Sequence, residues 1–120
     1  MTKKFRVWSK SKNRFLSGIL ITEDGLVCHI EKYEEFSLPK NQDDFTIQQW
    51  TGLTDSQGVE IYEGDILEFL GPEDFSAHYG KVFFEDGMFK ATEHGTLYSW
   101  RKWITVVGDI LQNPELLEKS

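Results

Sequence analysis

Turn signals recur along this chain about every 8–12 residues, with short strand-like runs between them. The strongest signal is Asp86-Gly87, because both central residues of a type I′ hairpin turn need a positive φ. Asp55-Ser56-Gln57-Gly58 has Asp at the first position and Gly at the last position of a type I turn. With roughly nine short strands, the pattern predicts a mainly β fold of the small-barrel or sandwich type.

The strand-like runs are clear in the first and last thirds of the chain. Residues 5–8 alternate apolar and basic side chains, as a half-buried strand does. Residues 15–21 are predicted to form the second strand of a hairpin with them. Residues 97–100 and 103–107 are predicted as two further strands. By contrast, residues 31–45 show no period-two pattern, which indicates a linker or a mobile excursion.

The chain is expected to be one domain, residues 1–120, subdivided into a smaller β-rich part and a larger second part. The boundary is predicted near the end of the linker, which gives parts of residues 1–45 and 46–120. Asn113-Pro114-Glu115 predicts a short C-terminal helix, with Asn as the N-cap, Pro at the first helical position and an acid in the first turn.

Charge is distributed unevenly along the chain. The net charge is −7, yet the first sixteen residues hold six basic groups and no acidic one. Three interpretations remain open. The protein presents two solvated faces of opposite sign, or the basic N-terminus of one copy meets the acidic body of another, or the basic stretch contacts nucleic acid.

Composition bounds the class of protein. The chain is 39% hydrophobic and contains nine Phe, four Trp and four Tyr, enough for a core without metal or disulfide staples. No apolar run approaches the roughly 20 residues of a membrane-spanning helix, and no apolar stretch follows the basic N-terminus as in a signal peptide. The single cysteine, Cys28, is expected to be a small buried hydrophobe. We therefore expect a cytoplasmic protein without a membrane partner.

The sequence contains no recognisable catalytic or metal-binding pattern. Four carboxylates lie close together in the sequence, but nothing matches a calcium loop; they are Glu60, Glu63, Asp65 and Glu68. Three isolated histidines and one cysteine do not give zinc spacing. No nucleophile and base can be paired from sequence. We therefore predict that the chain is not an enzyme and carries no metal or cofactor.

Two segments are candidates for an interaction surface. One is the basic N-terminal stretch. The other is the run 100–103, in which two tryptophans flank two cations that can stack on a base or on a partner's aromatic ring. A strand here would place one Trp in the core and leave the cations at the surface. The candidate residues are Lys3, Lys4, Arg6, Lys10, Lys12, Arg14, Trp100, Arg101, Lys102 and Trp103.

Three stretches carry a resemblance to a known family. They are Lys4-Phe5-Arg6-Val7-Trp8, the block Thr51-Gly52-Leu53-x-Asp55-x-x-Gly58-x-Glu60-Ile61-Tyr62-Glu63-Gly64-Asp65-Ile66, and Val107-Gly108-Asp109-Ile110-x-x-Asn113-Pro114-Glu115-Leu116-Leu117. Together they resemble the YopX family of phage and prophage proteins, except that Asp109 stands where an Asn is expected. The resemblance implies an SH3-like barrel in residues 46–120, a phage or prophage source and no assigned activity.

The central block of this resemblance has a physical interpretation of its own. Gly52, Gly58 and Gly64 can adopt backbone angles that other residues avoid. Asp55 and Asp65 stand at turns, where a short carboxylate accepts backbone N–H bonds. The block is therefore predicted to build the fold, so that function is expected elsewhere on the chain.

The resulting functional hypothesis is a non-enzymatic accessory protein of a phage or prophage, acting in the host-cell cytoplasm. It is expected to bind a host or phage protein or to assemble as a homo-oligomer. The alternative is a nucleic-acid-binding module that uses the basic stretch and Arg101 and Lys102. A variant of that alternative is an acidic mimic of nucleic acid that occupies a host DNA-binding protein.

Overall fold

The structure is a computed structural model that describes residues 4–30, 36–37, 41–70, 78–92 and 95–119. The described chain is mainly β, as predicted. It divides into two compact units, one formed by residues 5–48 and the other by residue 4 together with the chain from residue 49 onward. Strand β6 (Phe45–Thr54) runs from the first unit into the second.

The unit of residues 5–48 contains two small antiparallel sheets. In one, β1 lies between β2 and the first part of β6; in the other, β4 lies between β3 and β5. Val7, Trp8 and Val27 are buried in this unit, and Cys28 is buried as predicted. The strands are β1 (Phe5–Ser9), β2 (Arg14–Phe15), β3 (Ile19–Ile21), β4 (Val27–Ile30) and β5 (Phe36–Ser37).

The structure bears on two predictions for this unit, the strand at residues 15–21 and the linker at residues 31–45. Residues 15–21 do not form one strand: β2 ends at Phe15 and β3 begins at Ile19. Gly18 between them has a φ of 65°, a left-handed conformation that turns the chain out of an extended strand. Most of the predicted linker, residues 31–35 and 38–40, lies outside the described residues. Its last part contains a 3-10 helix, Gln42–Asp44.

The second unit is organised around a three-stranded antiparallel sheet in the order β12-β8-β9. The end of β6 pairs with β7, and β10 and β11 form a hairpin. The strands are β7 (Glu60–Tyr62), β8 (Asp65–Phe69), β9 (His78–Lys81), β10 (Phe83–Glu85), β11 (Met88–Lys90) and β12 (Ile104–Asp109). A helical turn, α1 (Leu97–Trp100), precedes β12.

The core of the second unit consists of aliphatic side chains from the strands and α1. Its fully buried members are Ile61, Leu67, Val82, Leu97 and Ile104. Burying a side chain of this size contributes about 1.5–3 kcal/mol relative to leaving it in water. Burial of Leu97 therefore anchors α1 to the core of this unit, and this anchoring positions the residues that follow α1.

The predicted hairpin turn at residues 86 and 87 is confirmed, and the predicted strand at residues 97–100 is wrong. Asp86 and Gly87 have φ values of 54° and 78°. Residues 97–100 form α1 because Thr96 caps it: the Thr96 hydroxyl accepts the backbone N–H of Ser99. The cap supplies a helical start that the apolar pattern of the segment does not show.

The closing segment of the chain packs onto β12. A 3-10 helix spans Pro114–Lys119, where the sequence predicts a short C-terminal helix. A Cβ at Gly108 would lie 2.6 Å from Asn113 Oδ1 and 2.9 Å from Leu116 Cδ1. The Asp109 carboxylate, buried nearby, accepts the backbone N–H groups of Leu111 and Gln112. The residues that carry the family resemblance here are thus packing and turn residues.

Candidate interaction surface

Lys4 is the first described member of the basic stretch, and it forms an ion pair within the protein. Lys3 lies outside the described residues. Lys4 Nζ donates to Glu60 Oε1 at 2.7 Å and lies 5.5 Å from the centre of the Trp50 ring. The hydrogen bond with Glu60 raises the pKa of Lys4, and the same bond lowers the pKa of Glu60. Lys4 is therefore a paired surface cation.

Arg6 and Lys10 are also held by neighbouring groups. Arg6 Nε donates to Gln48 Oε1 at 2.8 Å, and its guanidinium carbon lies 4.5 Å from the centre of the Phe15 ring. Lys10 Nζ donates to the backbone oxygen of Asp43 at 3.1 Å. These contacts stabilise the sheet of β1, β2 and β6, so that neither cation is fully available to a partner.

Lys12 and Arg14 are exposed on the β1–β2 hairpin. The turn between the two strands is fixed by the Asp44 carboxylate, which accepts Ser9 Oγ at 2.7 Å, Ser11 Oγ at 2.8 Å and Ser11 N–H at 2.8 Å. These donors, Ser9 first, lower the pKa of Asp44. The anionic carboxylate lies within the hairpin and partly offsets the local positive charge.

Trp100 belongs to the core side of the segment 97–103. It packs against the buried cluster of the second unit, and its ring meets that of Phe69 edge-to-face with centroids 5.4 Å apart. Such a pair contributes about 0.5–1.5 kcal/mol beyond its area burial. The structure therefore gives Trp100 a packing contact, and the residues after it form the exposed part of the segment.

Trp103 is the exposed tryptophan of this segment, with 39% of its surface accessible. Its backbone oxygen accepts the N–H of Leu70 at 3.0 Å, which brings another exposed apolar side chain beside it. Tyr98 is exposed on α1, and the Arg101 guanidinium lies 3.9 Å from its ring centre and donates to its backbone oxygen at 2.8 Å. Lys102 is exposed as well.

We call Leu70, Tyr98, Arg101, Lys102 and Trp103 the Trp103 surface. Sequence reasoning selected three of these residues and missed Leu70 and Tyr98. Tyr98 stands three positions before Arg101, which is contact spacing on a helical turn but not on the predicted strand. Recognising Thr96 as an N-cap would have revealed this pair. Leu70 is brought to Trp103 by the pairing of β8 with β12, which no local pattern predicts.

The four clustered carboxylates do not converge on one point. Glu60 binds Lys4, Asp65 accepts the N–H of Tyr62, and Glu68 accepts the hydroxyl of Tyr79. Within the ranges that the structure describes, no group of three or more His, Cys, Asp or Glu side chains is placed to hold a metal ion. No helix among these residues has the length and apolar character needed to cross a bilayer.

Comparisons with known proteins point to one family and one fold. The family model described as YopX protein matches residues 4–118. The solved structure of protein EF1440 from Enterococcus faecalis is similar at a TM-score of 0.71 and 25% identity, covering 98% of this chain and 99% of that one. Protein yopX from Bacillus subtilis is similar at a TM-score of 0.69 and 21% identity, covering 94% and 96%. A search of curated proteins found no match.

Proposed function

The chain belongs to the YopX family, and on this basis we propose that it is a non-enzymatic protein that acts by binding a partner protein through the Trp103 surface. The observation that carries the proposal is the exposure of Trp103 beside Leu70, 39% and 48% accessible respectively. Exposed side chains of this size that lie together mark interaction sites more often than single scattered ones do.

The chemistry of the surface indicates what kind of partner fits it. Trp, Tyr and Arg are the residue types that most often dominate binding energy at protein interfaces. Arg101 and Lys102 add positive charge beside the aromatic rings. A partner with an apolar depression rimmed by carboxylates would bury Trp103 and pair both cations. Outside the basic N-terminal stretch, the acidic remainder of the chain would repel such a partner.

The proposal also covers the source of the protein, the place where it acts and its fold. From the resemblance, we propose a phage or prophage accessory protein that works in the cytoplasm of the host cell. We also propose that residues 46–120 form an SH3-like barrel with a short C-terminal helix. The β12-β8-β9 sheet and the β10–β11 hairpin support this, because a small barrel is built from short antiparallel strands of this kind.

An affinity capture from host lysate tests the binding proposal. Wild type, Trp103→Ala and Phe84→Ala serve as baits at equal load. Phe84 is another exposed aromatic, on the β10–β11 hairpin and 55% accessible, and controls for nonspecific adhesion. We expect a partner that wild type and Phe84→Ala retain and that Trp103→Ala retains at least about tenfold less, as for the loss of an interface hot spot. Equal capture by all three baits would overturn the proposal.

The alternative function is nucleic-acid binding. Cations at the surface support it: Lys12 and Arg14 are exposed on one hairpin, and Lys102 is exposed beside half-buried Arg101 on the Trp103 surface. A gel-shift series at low salt distinguishes the two functions, because contacts with phosphates weaken steeply as salt rises. The leading proposal predicts no shift at any salt concentration. A salt-sensitive shift that Lys12→Ala and Arg14→Ala reduce would favour the alternative instead.

A further inference from the structure

Strand β3 forms an edge of the three-stranded sheet β3-β4-β5. On one side it pairs with β4, with Leu20 opposite Cys28 and Ile21 opposite Val27. No described strand pairs with it on the other side. An edge strand presents a row of unpaired backbone groups, and these can pair with another chain.

The register shows which backbone groups of β3 point outward. Thr22 N–H donates to Leu26 O at 2.9 Å, so Thr22 stands at a hydrogen-bonding position of the β3–β4 ladder. Bonded and non-bonded pairs alternate along an antiparallel ladder. Leu20 therefore bonds to β4, whereas the N–H and C=O groups of Ile19 and Ile21 point away from it.

On β4, the backbone N–H and C=O groups of Val27 that point away from β3 are covered by the side chain of Gln42. The Gln42 amide accepts the N–H of Val27 at 2.8 Å and donates to its carbonyl at 3.1 Å. No described side chain does this for β3. Edge strands are commonly protected by Pro, Lys or a bulge, but residues 17–22 contain no proline and no charge. At the centre of this edge, Leu20 is 45% accessible.

We propose that β3 pairs with β3 of a second copy of this chain, antiparallel, about a two-fold axis at Leu20. Ile19 of each copy then forms reciprocal backbone hydrogen bonds with Ile21 of the other, because these are the residues whose groups point outward. Leu20 faces Leu20 of the second copy as a non-hydrogen-bonded pair, with Cα atoms about 4.5 Å apart. Both exposed leucines are thereby buried against each other.

Charge favours a second copy over an unrelated extended peptide. In an antiparallel pair the end of β3 in one copy lies beside the start of β3 in the other, so the acidic turn residues Glu23 and Asp24 that follow β3 come close to the segment of the other copy that ends at residue 17. Arg14 stands three residues from position 17, which is at most about 10 Å along the chain. The acidic turn of each copy thus approaches the basic β1–β2 hairpin of the other, and a two-fold axis doubles the attraction.

Disulfide trapping tests this geometry. Cys28→Ala removes the only cysteine, and Leu20→Cys is then introduced into that background. Facing Cα atoms about 4.5 Å apart can be bridged by a disulfide. We expect mild oxidation to give covalent dimers at least about tenfold faster than with Val59→Cys, an exposed control at 49% accessibility. Ile19→Cys is the in-strand control, since the two copies of residue 19 would lie roughly 8 Å apart.

This inference goes beyond the proposed function and uses residues outside the Trp103 surface, so the capture experiment and the trapping experiment can fail separately. Sedimentation of the wild type should show a concentration-dependent dimer, which Leu20→Lys weakens at least about tenfold by placing two like charges together. Leu20→Cys trapping no faster than Val59→Cys would overturn the proposal. A dimer that Leu20→Lys leaves unchanged, or a monomer at all concentrations, would overturn it too.

Discussion

The carboxylate of Asp55 accepts the backbone N–H of Val106 at 2.9 Å, across 51 positions of sequence. Its other oxygen accepts the N–H groups of Gln57 and Val59 at 2.8 and 2.9 Å. Asp55 is only 5% accessible. One buried carboxylate therefore closes its own turn and attaches that turn to β12.

The attached turn covers an outer strand of the β12-β8-β9 sheet. Ser56 N–H donates to Ile104 O at 3.0 Å, on the side of β12 that does not face β8. An uncovered edge would be open to pairing with other chains. The block that carries the family resemblance thus has a structural task.

The two tryptophans of segment 100–103 should respond differently to truncation. Trp100→Ala removes a partly buried ring that packs against the core cluster, so it should lower the free energy of unfolding by about 2 kcal/mol or more. Trp103→Ala removes an exposed ring and should change stability by no more than about 1 kcal/mol. Urea unfolding of both variants measures this. A larger loss for Trp103→Ala would contradict the assignment of Trp100 to the core.

Gly80 marks a close approach between β9 and the chain after β11. A Cβ at this position would stand 2.1 Å from the backbone oxygen of Ala91. Gly80→Ala should therefore destabilise the protein by about 2 kcal/mol or more, because backbone must shift. Lys81→Ala, an exposed change in the same strand, is the control and should cost no more than about 0.5 kcal/mol. Equal unfolding midpoints for these two variants would contradict the close approach of Gly80 to the backbone of Ala91.

Acid should weaken the N-terminal hairpin through Asp44. Donation from Ser9 and Ser11 lowers the pKa of this carboxyl in the folded state. A group with a lowered folded pKa contributes stability above its unfolded pKa and loses that contribution as pH falls through the folded pKa. Asp44→Asn should therefore flatten the acid side of the stability–pH curve below about pH 5, where the carboxyl of the unfolded chain begins to take up protons.

The control for Asp44 is Asp24→Asn, which makes the same change of charge at an exposed turn. Thermal unfolding across the pH series is sufficient to compare the three proteins. If Asp44→Asn and wild type lose stability in parallel on acidification, the Ser9–Asp44 hydrogen bond does not stabilise the hairpin.

Some elements of the fold could be predicted from the sequence because they depend only on neighbouring residues. Asp86-Gly87 was predictable because its turn depends only on the backbone angles that Asp and Gly tolerate. Residues 97–100 were not, because Leu97-Tyr98-Ser99-Trp100 is mostly apolar, as a short strand is, and the Thr96 cap starts a helical turn there instead. For Asp55, a turn role was predictable, but its bond to distant Val106 was not.

The candidate surface shows the same division between local and long-range information. Sequence presents Trp100 and Trp103 as equivalent flanks of two cations, and only tertiary packing separates them. Lys4 and Arg6 belong to a basic stretch by composition. Their partners Glu60 and Gln48 lie 56 and 42 positions away, so the sequence could not show that these charges are engaged.

The block around Asp55 builds the fold, and we propose that the Trp103 surface binds a partner. The most direct test is the free energy of unfolding of Asp55→Ala in urea, with Gln57→Ala as the control from the same turn. Asp55→Ala leaves three backbone N–H groups without their acceptor.

Each unsatisfied group costs about 1–3 kcal/mol if it stays buried. We therefore expect Asp55→Ala to lose about 3 kcal/mol or more, while Gln57→Ala, at an exposed position, stays within about 0.5 kcal/mol of wild type. An Asp55→Ala protein as stable as wild type would contradict the account, because the carboxylate would then be free for another task.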